Sequence, residues 1–265
     1  MLLELYQDSF LTGYILVLSF LLGTVFGSFI NCTAGRIAAG VSWLKGRSCC
    51  DSCGHVLAPI DLVPIWSWVF LRGRCRYCGA KVPARYMLTE LGLGLAFIGI
   101  VLSRGGLSWL TVRDWALTVI LLGLSLVDLE KYEIPDGFII AGLAVWAITL
   151  PLVRMSGVNL GSYMTDGLVG GFGIAGGMLA IAMIMDRVLK KESLGGGDVK
   201  LLFMTGLYLG FAKSLLSLIV ACIVGLVFVV SLKKQKIAFG PSISIAVYLT
   251  MILGSQAVSW YLGLF

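Results

Sequence analysis

Phe10 to Ile30 reads FLTGYILVLSFLLGTVFGSFI, twenty-one residues without a charge. About 20 apolar residues suffice for a helix to cross a bilayer. The stretch follows an acidic start, Glu4 and Asp8, and lacks the basic n-region and short apolar run of a cleaved signal peptide. It therefore predicts a retained span. The remainder of the chain has the same character: 58% of its 265 residues are hydrophobic, 13% are charged, and mean hydropathy is +0.97. Soluble domains carry about 25% charged residues, so the composition predicts an all-α, polytopic membrane helical bundle. Thirty-four glycines fit that reading, because small residues let membrane helices approach closely.

Apolar segments place eight spans near 10–31, 86–102, 114–130, 137–153, 167–185, 199–211, 214–232 and 240–264. This divides the chain into a first transmembrane helix at 1–32, a loop domain at 33–85 and a transmembrane core at 86–265. Of the twenty basic residues, sixteen fall in alternate loops. Arg36, Lys45, Arg47, Arg72, Arg74, Arg76, Lys81 and Arg85 lie in the long loop, and Lys131 in the third loop. Arg187, Lys190, Lys191 and Lys200 cluster in the fifth, and Lys233, Lys234 and Lys236 in the seventh. Only Arg104, Arg113, Arg154 and Lys213 face the other way. The positive-inside rule then puts residues 33–85 in the cytoplasm and both termini outside. The net charge of +6 is accounted for by topology, and no nucleic-acid partner is expected.

The long loop contains Cys50-Asp-Ser-Cys53 and Cys75-Arg-Tyr-Cys78. Two C-x-x-C pairs on a cytosolic face supply four thiolates for a closed tetrahedral zinc site, where the metal folds the loop and leaves no open position for catalysis. Cys49 adjoins the first pair, but only Cys50 gives the required spacing. His55 reads as a solvated loop residue, and Cys32 and Cys222 read as packing residues on spans. Between the pairs, Ile60 to Leu71 is aromatic-rich but too short and Pro-broken to span; it should lie at the membrane interface or pack on the bundle.

Asp128 closes one apolar segment and Asp198 opens another. From Asp114 to Asp128 is about 22 Å of helix and from Val199 to Phe211 about 20 Å, both short of a hydrocarbon core of about 30 Å. Ionisable groups at such depth point to function, and two carboxylates that meet can share a proton for acid–base hydrolysis. Gly195-Gly196-Gly197 before Asp198 allows unusual backbone conformations and a close approach by a neighbouring chain. Asp198 should begin a helix, where the dipole favours its ionised form. Asp136, after Pro135, is placed to cap the next helix. Glu90 lies within a span, four residues after Tyr86, to bind a ligand or to pair with a basic neighbour. Asn31 either bridges helices or touches ligand, and Gly27-Ser28 is a helix contact as readily as a site.

The pattern Asp128-x-x-x-x-x-Ile134-Pro135-Asp136, followed by Gly195-Gly196-Gly197-Asp198-Val199-Lys200, resembles the type IV prepilin peptidase family, membrane aspartyl proteases with a Gly-x-Gly-Asp signature. The resemblance extends to Gly27-Ser28-Phe29-Ile30-Asn31, Arg36, the paired C-x-x-C loop, Arg85-Tyr86-x-x-x-Glu90 and Phe239-Gly240-Pro241. It implies catalysis by Asp128 and Asp198 and zinc on Cys50, Cys53, Cys75 and Cys78. It also implies methylation of the newly exposed amine with S-adenosylmethionine as donor, for which Glu90, Asn31 and Arg36 are the candidate binding residues. The expected substrates are type IV prepilins or pseudopilins and the expected location is a bacterial inner membrane. The alternative, a proton-coupled transporter using the same carboxylates, predicts ionisable residues lining several span interiors, whereas here they gather at one edge. A scaffold built on the zinc loop is a second rival.

Overall fold

The computed structural model describes residues 3–4, 9–43, 46–190, 194–232 and 238–263. Asp8, Lys45, Lys191, Lys233, Lys234, Lys236 and the end of the last span lie outside the described residues. The chain divides after Leu107 into two compact units.

The first unit is built on two long helices, α1 (Ser9–Ala38) and α3 (Arg85–Arg104). Their backbones touch because glycines line the contact: a Cβ on Gly23 would stand 2.7 Å from Gly94 Cα, and one on Gly27 would stand 2.8 Å from Glu90 Cα. Gly27-Ser28 therefore lies in a helix contact. The loop between them holds a 3-10 turn (Pro59–Leu62) and a short helix, α2 (Trp66–Phe70). A two-residue strand pair, β1 (Leu3–Glu4) with β2 (Gly106–Leu107), and two isolated bridges, Cys49 with Val56 and Arg74 with Lys81, are the departures from an all-α chain among the described residues. Helix α1 runs seven residues past the predicted end of its span and takes Arg36 into its last turn.

The second unit holds α4 (Trp109–Lys131), α5 (Asp136–Met155), α6 (Leu160–Leu189), α7 (Gly196–Leu209), α8 (Phe211–Leu232) and α9 (Gly240–Leu262). All eight predicted segments are helical, but among the described residues seven helices are long and apolar enough to cross a membrane. The exception is α7, whose 14 residues make about 21 Å of helix. The eighth predicted segment is thus present as a helix shorter than the hydrocarbon core, as the reading of Val199 to Phe211 expected.

The expectation that Asp128 ends a short segment is corrected. Ser108 caps α4, its Oγ accepting from the Thr111 N–H at 3.2 Å, so the helix starts five residues before Asp114. Arg113 and Asp114 are buried inside it as an ion pair at 2.7 Å, and Arg113 Nη1 donates to the Tyr163 hydroxyl of α6 at 2.7 Å. A neutralised pair tolerates depth that either charge alone would not.

Helix α7 is held on both sides. Glycines seat it on α6, since a Cβ on Gly206 would lie 2.5 Å from Gly171 Cα. Toward α5, Tyr208 donates its hydroxyl proton to Gly142 O at 2.6 Å and Trp146 Nε1 donates to Leu207 O at 3.0 Å. At its far end Asp166 Oδ1 accepts the Phe211 N–H at 3.0 Å, satisfying an otherwise orphaned donor at the start of α8.

Candidate active site and metal centre

Asp128 sits in the last turn of α4 and is 4% exposed. That turn ends on Tyr132, whose left-handed backbone lets its N–H reach Asp128 O at 2.8 Å. The chain then passes through Ile134-Pro135 into α5. Asp128 Oδ2 accepts the N–H of Gly240, the first residue of α9, at 2.9 Å. A Cβ on Gly240 would stand 2.6 Å from the same oxygen, so a side chain there would displace the carboxylate. The open N–H groups of a helix start favour a carboxylate at that place. One turn earlier on α4, Ser125 donates to Leu121 O at 2.6 Å and shares a 2.8 Å hydroxyl contact with Ser244 of α9, which fixes the register of the two helices.

Asp198 occupies the third position of α7, half-buried, in the first turn as predicted. The start of α7 packs on the turn that follows Asp128, Gly197 lying against Ile134. The elements that carry the two carboxylates are thus in contact, and each carboxylate lies at a helix N-terminus, Asp128 at that of α9 and Asp198 at that of α7. None of Gly195, Gly196 and Gly197 has an unusual backbone angle, and two of them, Gly195 and Gly197, admit a close approach instead. A Cβ on Gly197 would meet Ile134 Cβ at 3.0 Å, and one on Gly195 would meet Asp198 Oδ2 at 3.3 Å.

Asp136 differs from its predicted role. Pro135 is the N-cap of α5 and makes no side-chain capping bond, while Asp136 in the first turn pairs with Lys200 Nζ at 2.7 Å. Both partners are exposed, so the pair adds little to stability. Gly240, Ser125 and Ser244 went unassigned in the sequence, although a Gly-Pro step at a helix start was a visible signal for the first.

In the other unit the sulfurs of Cys50, Cys53, Cys75 and Cys78 all lie within 4.8 Å of one another. Four thiolates at about 2.3 Å from zinc stand roughly 3.8 Å apart, and Cys50 and Cys78 are 3.9 Å apart. The donor set fits zinc. The two knuckles share one backbone plan. Gly54 N–H returns to Cys50 O at 2.8 Å and Gly79 N–H to Cys75 O at 2.9 Å, both glycines left-handed at φ 69° and 72°. Each is a Cys-x-x-Cys-Gly repeat. The Cys53 and Ser52 N–H groups aim at the Cys50 sulfur and lower its thiol to about 7. Cys78 receives help from Ala80 N–H, but desolvation and the neighbouring sulfurs push it up to about 11.

Cys49 stays outside the cluster, and His55 stacks on Tyr77 with ring centroids 3.7 Å apart. Asp61 joins the second knuckle to the 3-10 turn, accepting from Arg76 Nε at 2.7 Å and the Tyr77 hydroxyl at 2.9 Å. Burial pushes its carboxyl up, but those bonds outweigh it and hold the group below the usual range. Cys222 is exposed on the outside of α8, contrary to its expected packing role.

The candidate methyl-donor residues all hold the loop to the helix pair or the helices to each other. Glu90 Oε2 accepts the Ile65 N–H at 2.7 Å, just before α2. Asn31 Nδ2 donates across from α1 to Thr89 Oγ1. Arg36 Nη2 donates to Arg47 O at 2.9 Å. Of the aromatic segment, Trp68 packs inward with Nε1 donating to Val82 O, while Trp66 and Phe70 face outward.

Fold and sites together define a polytopic helical membrane protein with a paired-carboxylate centre in one unit and a four-thiol centre in the other. Residues 21–104 match the Bacterial Peptidase A24 N-terminal domain, and residues 115–230 match the Type IV leader peptidase family. The chain is 31% identical over 231 residues to the prepilin leader peptidase/N-methyltransferase of Aeromonas salmonicida (strain A449), covering 82% of this chain and 75% of that relative. It is 32% identical to the type 4 prepilin-like proteins leader peptide-processing enzyme of Escherichia coli O78:H11, covering 87% of this chain and 91% of the relative. It is 26% identical to the Neisseria gonorrhoeae prepilin leader peptidase/N-methyltransferase, covering 96% and 97%. No solved structure matches. The chain belongs to the type IV leader peptidase family and is a multi-pass membrane peptidase.

Proposed function

We propose that this protein cleaves the basic leader from type IV prepilins or pseudopilins at the inner-membrane boundary, with Asp128 and Asp198 as the catalytic pair. The observation that carries this reading is the packing of the start of α7, which bears Asp198, on the turn that follows Asp128, whose carboxylate accepts the Gly240 N–H. One aspartate takes a proton from water as its oxygen attacks the scissile carbonyl. The other donates a proton to the carbonyl oxygen. As the carbon–nitrogen bond breaks, the proton held by the first passes to the leaving amine and the second takes back a hydroxyl proton from the tetrahedral intermediate, which leaves the carboxyl product and restores the pair. A coupled pair titrates as a unit, so neither member is assigned a fixed role. The basic asymmetry of the loops supports cytoplasmic residues 33–85 and outer termini, which puts the pair on the side where a basic leader is presented. The test is incubation of purified protein with a leader-bearing prepilin and mapping of the product's new amino terminus.

The cysteine cluster holds a structural zinc that folds the loop. The relatives' names include N-methyltransferase, which supports a second reaction on the new amine with S-adenosylmethionine as donor. Glu90, Asn31 and Arg36 serve that reaction by positioning the loop on α1 and α3. The gathering of the catalytic carboxylates at one edge disfavours the transporter alternative.

A further inference from the structure

Helices α5 and α6 scarcely touch, and both lean on the short α7. The gap between them is a lateral groove of about 530 Å³, within the usual size of ligand pockets. Its floor is Val199 and Phe203 of α7, and its walls include Ile140 and Leu143 of α5 and Phe172 and Leu179 of α6. At one end stands the Asp136–Lys200 pair, two residues beyond Asp198. Ile140 and Phe172 are 64% and 65% exposed, so the groove opens sideways.

We infer that this groove is the exosite that seats the apolar helix of the substrate, with the bond to be cut lying over the Lys200 end. The inference rests on the proposed peptidase reading and names the surface that gives it specificity. Charge distinguishes a peptide from a lipid as occupant. With Asp136 paired to Lys200, the α4–α5 turn at the groove's end still exposes two acids, Glu130 and Glu133, against one lysine, Lys131, whereas the end of α6 exposes Arg187 and Lys190. An anionic headgroup is repelled by the first edge. A basic leader continuing from an apolar helix is drawn across it, toward the turn that follows Asp128. From Asp136 to Leu143 the wall runs about 10 Å, two turns of a bound helix.

Gly176 and Gly177 provide a matched test. Gly176 lines the groove and Gly177 does not, and a Cβ on either meets nothing within 4 Å. Both Gly176→Phe and Gly177→Phe should fold, inserted in proteoliposomes with intact prepilin as substrate. The expected result is a KM at least tenfold higher for Gly176→Phe, kcat within about threefold of wild type, and an unchanged Gly177→Phe. A photoreactive benzoyl-phenylalanine at position 172 of the Asp128→Asn protein should capture the apolar segment of uncleaved prepilin. Equal KM values for the two glycine variants, or photocapture of lipid alone, would overturn the groove as exosite while leaving the peptidase reading intact. Failure of the wild type to cleave prepilin would instead remove the reading on which it rests.

Discussion

The backbone N–H of Gly240 reaches Asp128 Oδ2 at 2.9 Å across 112 residues of sequence. That bond ties the start of the last helix to the carboxylate on α4, and the room for it exists because residue 240 has no side chain. Gly240→Ala should therefore insert normally and lose activity. Hydrogen bonds to charged groups contribute about 1.5–3 kcal/mol, so kcat should fall about tenfold to a hundredfold. Cleavage rate at matched protein level measures it; an unchanged rate would show that the bond is dispensable.

The four-thiol centre should carry one zinc per chain after purification without chelator. Cys53→Ser and Cys75→Ser should each strip the metal and increase hydrogen exchange across residues 46–84. Because thiolates bind zinc, affinity falls with acid. Below about 7, where Cys50 of the metal-free site takes up its proton, the fall should steepen by one proton. Elemental analysis showing no zinc would overturn the assignment.

Impermeant thiol reagents added to intact cells should spare Cys50 and Cys78 even after metal is stripped, given the basic asymmetry of the loops. Modification of either from outside would reverse the orientation.

Cleaved pilin formed in excess S-adenosylmethionine should gain one methyl mass on its amino terminus. Glu90→Gln removes the charge from the Ile65 contact and should slow this step more than cleavage, because it loosens the loop rather than the aspartate pair. Complete cleavage with an unmodified amine would withdraw the second activity.

Much of this architecture was legible in the chain. Apolar runs located every long helix, and the C-x-x-C spacing located the sulfur cluster, because both signals are local. The errors came from contacts between distant residues. Arg113 and Asp114 looked like a span boundary, yet Tyr163, 50 residues on, helps bury the pair within α4. Asp136 looked like a cap because its partner, Lys200, is 64 residues away. Of the two uses read for the glycines before Asp198, the close approach is found, at Gly197 against Ile134, and the unusual backbone angles are not. Gly54 and Gly79, by contrast, were readable in the repeated Cys-x-x-Cys-Gly pattern.

The aspartate pair is the central claim, and side-by-side cleavage by three nearly isosteric variants tests it most directly. Asn cannot exchange the proton that hydrolysis needs, so Asp128→Asn and Asp198→Asn should abolish release of the leader while expression and insertion persist. Asp136→Asn, which disturbs an exposed pair at the groove's end worth at most about 1 kcal/mol, should still cut correctly at saturating substrate. Mass spectrometry of prepilin after incubation with each variant should show uncut substrate for the first two and correctly cut product for the third. Substantial correct cutting by Asp128→Asn or Asp198→Asn would contradict the account.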